Sequence, residues 1–177
     1  TFEKFSAMGD CAMLLRLLGG AMVPHVARFV EDLLEVEPKV VIFAHHTDVI
    51  HRFESHFARQ RPVVYRGGMT DGQKDDAIAR FQSPESRVFI GQRQAAGTGI
   101  NGLQTVCSTV VIAEPSWTPG ETDQLIGRLD RMGQEDDIVN AYVMYAKGTL
   151  SAVVVGVHDR KERVGERLQS DGILEQL

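Results

Sequence analysis

Lys39-Val40-Val41-Ile42-Phe43-Ala44 is an unbroken β-branched and aromatic run. A strand with one wet face alternates apolar and polar residues, whereas a strand covered on both faces reads as continuous apolar sequence. The run therefore predicts a buried strand of a parallel sheet. The pattern then repeats. A helix from Thr47 to Arg59 leads to a strand from Pro62 to Tyr65, and a helix from Asp71 to Phe81 leads to a strand from Arg87 to Ile90. A glycine-rich loop, a strand from Thr109 to Ala113, a further helix and a strand from Ile138 to Tyr145 complete the series. This alternation marks βαβ units and an α/β fold with a mostly parallel sheet and helices on both faces. Such folds bind ligands beyond the carboxyl ends of their strands. The loops holding His45, Gly67-Gly68, Gln92 to Gly99 and Glu114 to Thr118 are thus expected to line one edge.

Upstream, Met13, Leu14, Leu17 and Leu18 recur at helical spacing and close on Gly19-Gly20. Pro24 is then expected to open a second helix, with Val26, Phe29, Val30, Leu33 and Leu34 on its buried face and Pro38 as its end. Residues 1–37 read as a helical N-terminal extension and residues 150–177 as a helical C-terminal tail of one domain spanning 1–177. Leu150 to Val157 is β-branched enough for a strand, yet Leu150, Val153, Val154 and Val157 also fit a helical stripe, and helix is favoured.

With 177 residues, 43% hydrophobic and 24% charged, the chain has the material for a proper core. No run approaches the roughly eighteen consecutive apolar residues of a membrane span, so no membrane partner is expected. The opening lacks both a signal-peptide pattern and an initiating Met, which suggests a piece of something longer. Cys11 and Cys107 show no C-x-x-C pairing and read as buried thiols of a reducing compartment. The net charge of −5 argues against a self-sufficient nucleic-acid binder. Any such contact must come from a local patch, either Arg52, Arg59, Arg61 and Arg66 or Arg160, Lys161, Arg163 and Arg167. His45-His46 invites a metal, but adjacent strand-end residues point apart and no third ligand has suitable spacing.

The stretch Thr118 to Gln134, T-P-G-E-T-D-Q-L-I-G-R-L-D-R-M-G-Q, reads as one helix of about three turns, capped by Thr118 or Thr122 and stopped by Gly133. Helical geometry then puts Gln124, Arg128 and Arg131 on a single stripe. Two guanidiniums on one stripe suit phosphate oxygens, although the same spacing also describes a solvated face of ion pairs with Asp123 and Asp130. Ala95 to Asn101 (A-A-G-T-G-I-N) follows a strand and lets backbone approach a ligand closely at Gly97 and Gly99. In Y-R-G-G-M-T, Thr70 is an N-cap candidate, with backbone N–H groups for a phosphate or for an ordinary capped turn.

Q-L-I-G-R-L-D-R-M-G-Q resembles the last helicase motif of the SNF2 group of superfamily 2, Q-A-x-x-R-x-x-R-x-G-Q, with Asp130 where a histidine is frequent. A-A-G-T-G-I-N is similar to that group's A-G-G-x-G-L-N, and E-P-S-W-T-P to its D/E-x-x-W-N-P, with Thr118 for Asn. The resemblance runs from about Arg16 to Lys147-Gly148-Thr149, and V-I-F-A-H-H, M-V-P and A-K-G-T look most like the annealing-helicase branch and related phage and bacterial helicases. It implies a RecA-like second lobe. It casts Arg128 and Arg131 as arginine fingers and sets Gly97, Gly99, Asn101 and Gln124 on the nucleotide side. Gly68, Thr70, Gln92 and Gln94 fall on the side facing DNA, the group's D-G-S/T element falling on Gly67 to Met69 or Gly68 to Thr70. Trp117 reads as a core anchor or as a ligand contact. The chain contains no G-x-x-x-x-G-K-[ST] and no D-E-x-H box, so ATP and Mg²⁺ are expected mainly on an N-terminal RecA-like lobe of the same parent, with duplex or branched DNA as partner. That implies an intracellular protein, cytoplasmic or nuclear, and a chain inactive alone. The rival expectation is a RecA-like lobe that only binds a partner protein.

Overall fold

A computed structural model describes residues 2–97 and 99–156. Five strands form one sheet: β1 (Val40–Ala44), β2 (Val63–Tyr65), β3 (Val88–Gln92), β4 (Thr109–Ile112) and β5 (Asn140–Val143). Their order is β2-β3-β1-β4-β5, and every pairing is parallel. The helices are α1 (Phe2–Leu33), α2 (Thr47–His56), α3 (Asp71–Gln82), α4 (Arg93–Gly97) and α5 (Pro119–Ile126), with a short 3₁₀ turn at Ala58–Gln60. Residues 150–156 are helical, as favoured from the sequence. The rest of the expected tail, including Arg160, Lys161, Arg163 and Arg167, lies outside the described residues.

The continuous apolar run of β1 is explained by two cores. Val40, Ile42 and Ala44 point to one face with Val26, Ala27 and Val30 of α1 and Val49, Ile50 and Phe53 of α2. Val41 and Phe43 point to the other, with Ala77 and Phe81 of α3, Ala96 of α4 and Leu125 of α5. Side-chain alternation along a strand makes this division automatic. Each such fully buried large side chain contributes about 1.5–3 kcal/mol. Close packing fixes one glycine on β3: a Cβ at Gly91 would lie 2.5 Å from Cε1 of Phe43.

The expected break between two N-terminal helices does not occur, for α1 runs unbroken through Pro24. An interior proline strips the carbonyl four residues earlier of its donor. Here that carbonyl is Gly20, and Arg52 Nη1 donates to it at 3.2 Å. A guanidinium from α2 thus replaces the missing N–H. The stretch Gly9–Leu33 is also long and apolar enough to cross a membrane by length and composition, contrary to the expectation from the sequence. Packing accounts for part of its apolar character: Val26, Ala27 and Val30 are fully buried in the domain core, whereas Met13, Leu14 and Leu17 are exposed.

Candidate functional site

All strands being parallel, their carboxyl ends and the loops after them share one edge, as expected. The chain leaves β1 toward β2 and leaves β4 toward β5, on opposite sides of the sheet. The crevice between the ends of β1 and β4 is therefore the topological switch point, where α/β sheets ordinarily receive ligands. Here the protein fills it with its own carboxylate. Glu114, 6% exposed, accepts the His45 and His46 backbone N–H groups on Oε2 at 2.7 and 2.9 Å. Its Oε1 lies 2.6 Å from His46 Nδ1. His46 is the N-cap of α2 and offers no side-chain cap, so Glu114 takes the place an anion would hold at that helix N-terminus. Gly19 permits this, because a Cβ there would stand 2.3 Å from Glu114 Oε1.

At this clamp, α1 and the strand ends line a cleft of about 780 Å³ walled by Leu18, His45, Arg93, Glu114, Trp117 and Tyr145. Trp117, read as a core anchor or a ligand contact, is 43% exposed in this wall. The neighbouring Ser116 is the residue that points inward. Cys11 is only half-buried, unlike the expectation, while Cys107 is buried and its thiol pushed up to about 12 by desolvation. His45 is held below its ordinary value by burial first and then by the Arg93 and His46 charges. Among the described residues no group of three His, Cys, Asp or Glu side chains is placed to hold a metal ion.

The arginine stretch differs from the expected three-turn helix. α5 ends at Ile126 with Gly127 as its C-cap, and 127–134 fold as successive tight turns. Glycine is a poor helix residue, and the Gly127 carbonyl receives Arg131 Nε at 3.0 Å rather than the Arg131 N–H, which turns to Leu129 O at 3.1 Å. Gln134 Nε2 pins the far end to Cys107 O and Leu129 O at 3.0 and 3.1 Å. Gly133, at φ +92°, is indeed a stop, but of a turn. Of the two N-cap candidates Thr118 holds the position, without a side-chain bond into the helix.

Gln124, exposed on α5, is therefore not on one helical stripe with Arg128 and Arg131. What the structure does bring together is Arg131 and Asn101, whose Oδ1 accepts from Arg131 Nη1. Burial first, and the nearby Arg128 charge second, lower the Arg131 pKa. Gly99 and Asn101 line a hollow of about 380 Å³ with Lys74, Asp71 and Asp75 of α3. Gly97 ends α4, a short helix where the sequence suggested only loop.

On the other flank, Gly67 N–H donates to Gln92 Oε1 at 2.9 Å, and Gln92 Nε2 reaches His45 O at 3.4 Å. Gly68, at φ +80°, makes the turn that only glycine adopts readily. Thr70 caps α3 through a full capping box with Gln73, which uses its own backbone N–H at 2.9 Å. Gln94 is exposed on α4, and no hydrogen bond joins it to Gln92 or Gly67. Of the first basic cluster, Arg52 serves α1 as described, and Arg66 Nη1 sits 3.1 Å from His51 Nε2.

The sequence reading missed Arg93 and the role of Glu114. Arg93 Nη1 donates to Glu114 O at 3.0 Å, and its Nη2 lies 3.6 Å from Glu121 Oε2. A charged residue directly after a buried strand was the available signal in both cases.

Residues 25–133 match the family model described as the helicase conserved C-terminal domain. The human DNA annealing helicase and endonuclease ZRANB3 is 29% identical over 163 residues, 90% of this chain and 15% of that protein. The DNA repair and recombination protein RAD54 of Saccharomyces cerevisiae is 27% identical over 191 residues, 99% of this chain and 21% of that protein. The C-terminal part of the Fun30 ATPase domain superposes with a TM-score of 0.66 at 22% identity, covering 76% of this chain and 44% of that one. The chain thus spans between about a seventh and a fifth of those curated relatives. With the parallel RecA-like sheet and the matched motifs together, the chain belongs to the helicase conserved C-terminal domain family and is a C-terminal lobe of SNF2 type.

Proposed function

We propose that this chain is the second lobe of a two-lobe, DNA-dependent ATPase, and that Arg128 and Arg131 are its arginine fingers. The observation that supports this best is the meeting of Arg131 with Asn101 from a separate loop, at a rim that also holds Gly99. The Arg131 guanidinium is oriented in advance by Gly127 O and Asn101. A positive group held ready before the partner arrives needs little reorganisation when negative charge develops on a transferring phosphoryl group. Gly97, Gly99, Asn101 and Gln124 would face the nucleotide. Gly68, Thr70, Gln92 and Gln94 would lie along the DNA, with Gln92 tying the Gly67 loop to the end of β1.

The phosphate cradle belongs to the partner lobe in this reading. The two N–H donors of the switch crevice are taken by Glu114, and the sequence carries no G-x-x-x-x-G-K-[ST] loop. Mg²⁺ likewise would be held by the partner lobe. Closure on ATP would bring the fingers to the phosphates and shift the grip on duplex or branched DNA, inside whichever compartment holds that DNA. The isolated chain would be inactive.

The test is DNA-stimulated ATP hydrolysis by the two-lobe protein. Arg131→Ala should lower turnover at least about a hundredfold with ATP binding preserved. Unchanged turnover would favour the rival, a lobe that only binds a partner protein, for which exposed Met13, Leu14 and Leu17 on α1 are the supporting observation.

A further inference from the structure

We propose that Arg93 is a positioning residue that sets where the arginine-bearing segment sits, by tying the end of β3 to the exit of β4 and the first turn of α5. This inference rests on the finger reading of Arg128 and Arg131. Arg93 opens α4 directly after β3, and its side chain is only 12% exposed. One nitrogen bonds the Glu114 carbonyl at 3.0 Å, just past β4. Another faces the Glu121 carboxylate at 3.6 Å, inside α5. That same Glu121 oxygen accepts Ser116 Oγ–H at 2.6 Å, and Ser116 Oγ accepts the Thr118 N–H at 3.1 Å. The start of α5 is thereby fastened to two strand ends through one guanidinium.

The far end of the segment is fastened independently, by Gln134 to Cys107 O and Leu129 O and by the burial of Leu129. The segment behaves as a bridge with two abutments, and Arg93 is the polar half of the nearer one. Because α4 also leads into Gly97, Gly99 and Asn101, Arg93 links the loop that meets Arg131 to the helix that precedes it. A lysine cannot do this, since an ammonium is a single point charge whereas the guanidinium fork reaches two acceptors in different directions. Burial lowers the Arg93 pKa, and the Glu121 and Glu114 charges oppose that. Neither Glu121 nor Arg93 touches the rim hydrogen bond between Arg131 and Asn101, so their influence on hydrolysis must be transmitted through position.

Small displacements of a catalytic group are costly, so Arg93→Gln in the two-lobe protein should lower kcat for DNA-stimulated hydrolysis on the order of tenfold while leaving KM for ATP within about twofold. Glu121→Gln, half exposed and safe for folding, should show the same split. Arg93→Lys should recover only part of the loss. The decisive arm is the combination with Arg131→Ala, in which Arg93→Gln and Glu121→Gln should cause no further fall. Normal kcat in both variants, or a loss that multiplies with Arg131→Ala, overturns the proposal while the finger reading stands. Unchanged turnover in Arg131→Ala itself overturns both.

Discussion

Two places on the same sheet edge look equally suited to phosphate, and the protein treats them oppositely. The crevice between β1 and β4 has two backbone N–H donors and the start of a helix, yet Glu114 already takes both donors. The rim beyond β3 has the less regular backbone, yet there Arg131 is held beside Asn101, with the Arg128 charge near it. A lobe that bound nucleotide alone would need the first place open. A lobe that delivers positive charge to a nucleotide held elsewhere needs the second one exposed. The difference is what the proposed role of a charge-delivering lobe requires.

Glu114→Ala should have the largest effect on folding. It strands the His45 and His46 N–H groups and empties the crevice, and should cost about 3 kcal/mol in equilibrium urea unfolding. A loss under about 1 kcal/mol would mean that the crevice is wet rather than sealed. Thr70→Ala removes the α3 capping box and should cost about 1 kcal/mol. Its use in the DNA track is a separate matter, read by DNA affinity at matched salt.

A smaller effect comes from His45. Its folded pKa lies below the ordinary 6.5, so the unfolded chain binds a proton that the folded chain refuses. Stability from this residue is therefore constant above that value and declines as pH falls below it. Unfolding midpoints measured across this window should drop with acid, and His45→Asn should flatten that slope. An unchanged slope would place the pH sensitivity elsewhere.

Much of this was legible in the sequence because buried parallel strands announce themselves. Lys39 to Ala44, Arg87 to Ile90 and Thr109 to Ala113 are apolar on both faces, and each became a strand within two residues of its expected ends. Local rules failed where a distant group intervened. Pro24 reads as a helix start until Arg52 supplies the donor it lacks. Arg128 and Arg131 read as a helical stripe until the Arg131 side chain claims the Gly127 carbonyl and the helix ends early. Glu114 and Arg93 were invisible as a pair, because nothing in their separation along the chain shows that β3 and β4 flank β1. The meeting of Asn101 with Arg131 has the same origin, although each residue stands out in its own motif.

The most direct measurement compares Arg131→Ala with Glu114→Gln for DNA-stimulated ATP hydrolysis in the two-lobe protein. If charge is delivered from the rim and the crevice is only structural, Arg131→Ala loses at least about a hundredfold in kcat. Glu114→Gln, which keeps an acceptor for both N–H groups, stays within about threefold of wild type. A normal kcat for Arg131→Ala beside a collapsed kcat for a well-folded Glu114→Gln would contradict the account, and would move the chemistry into the crevice.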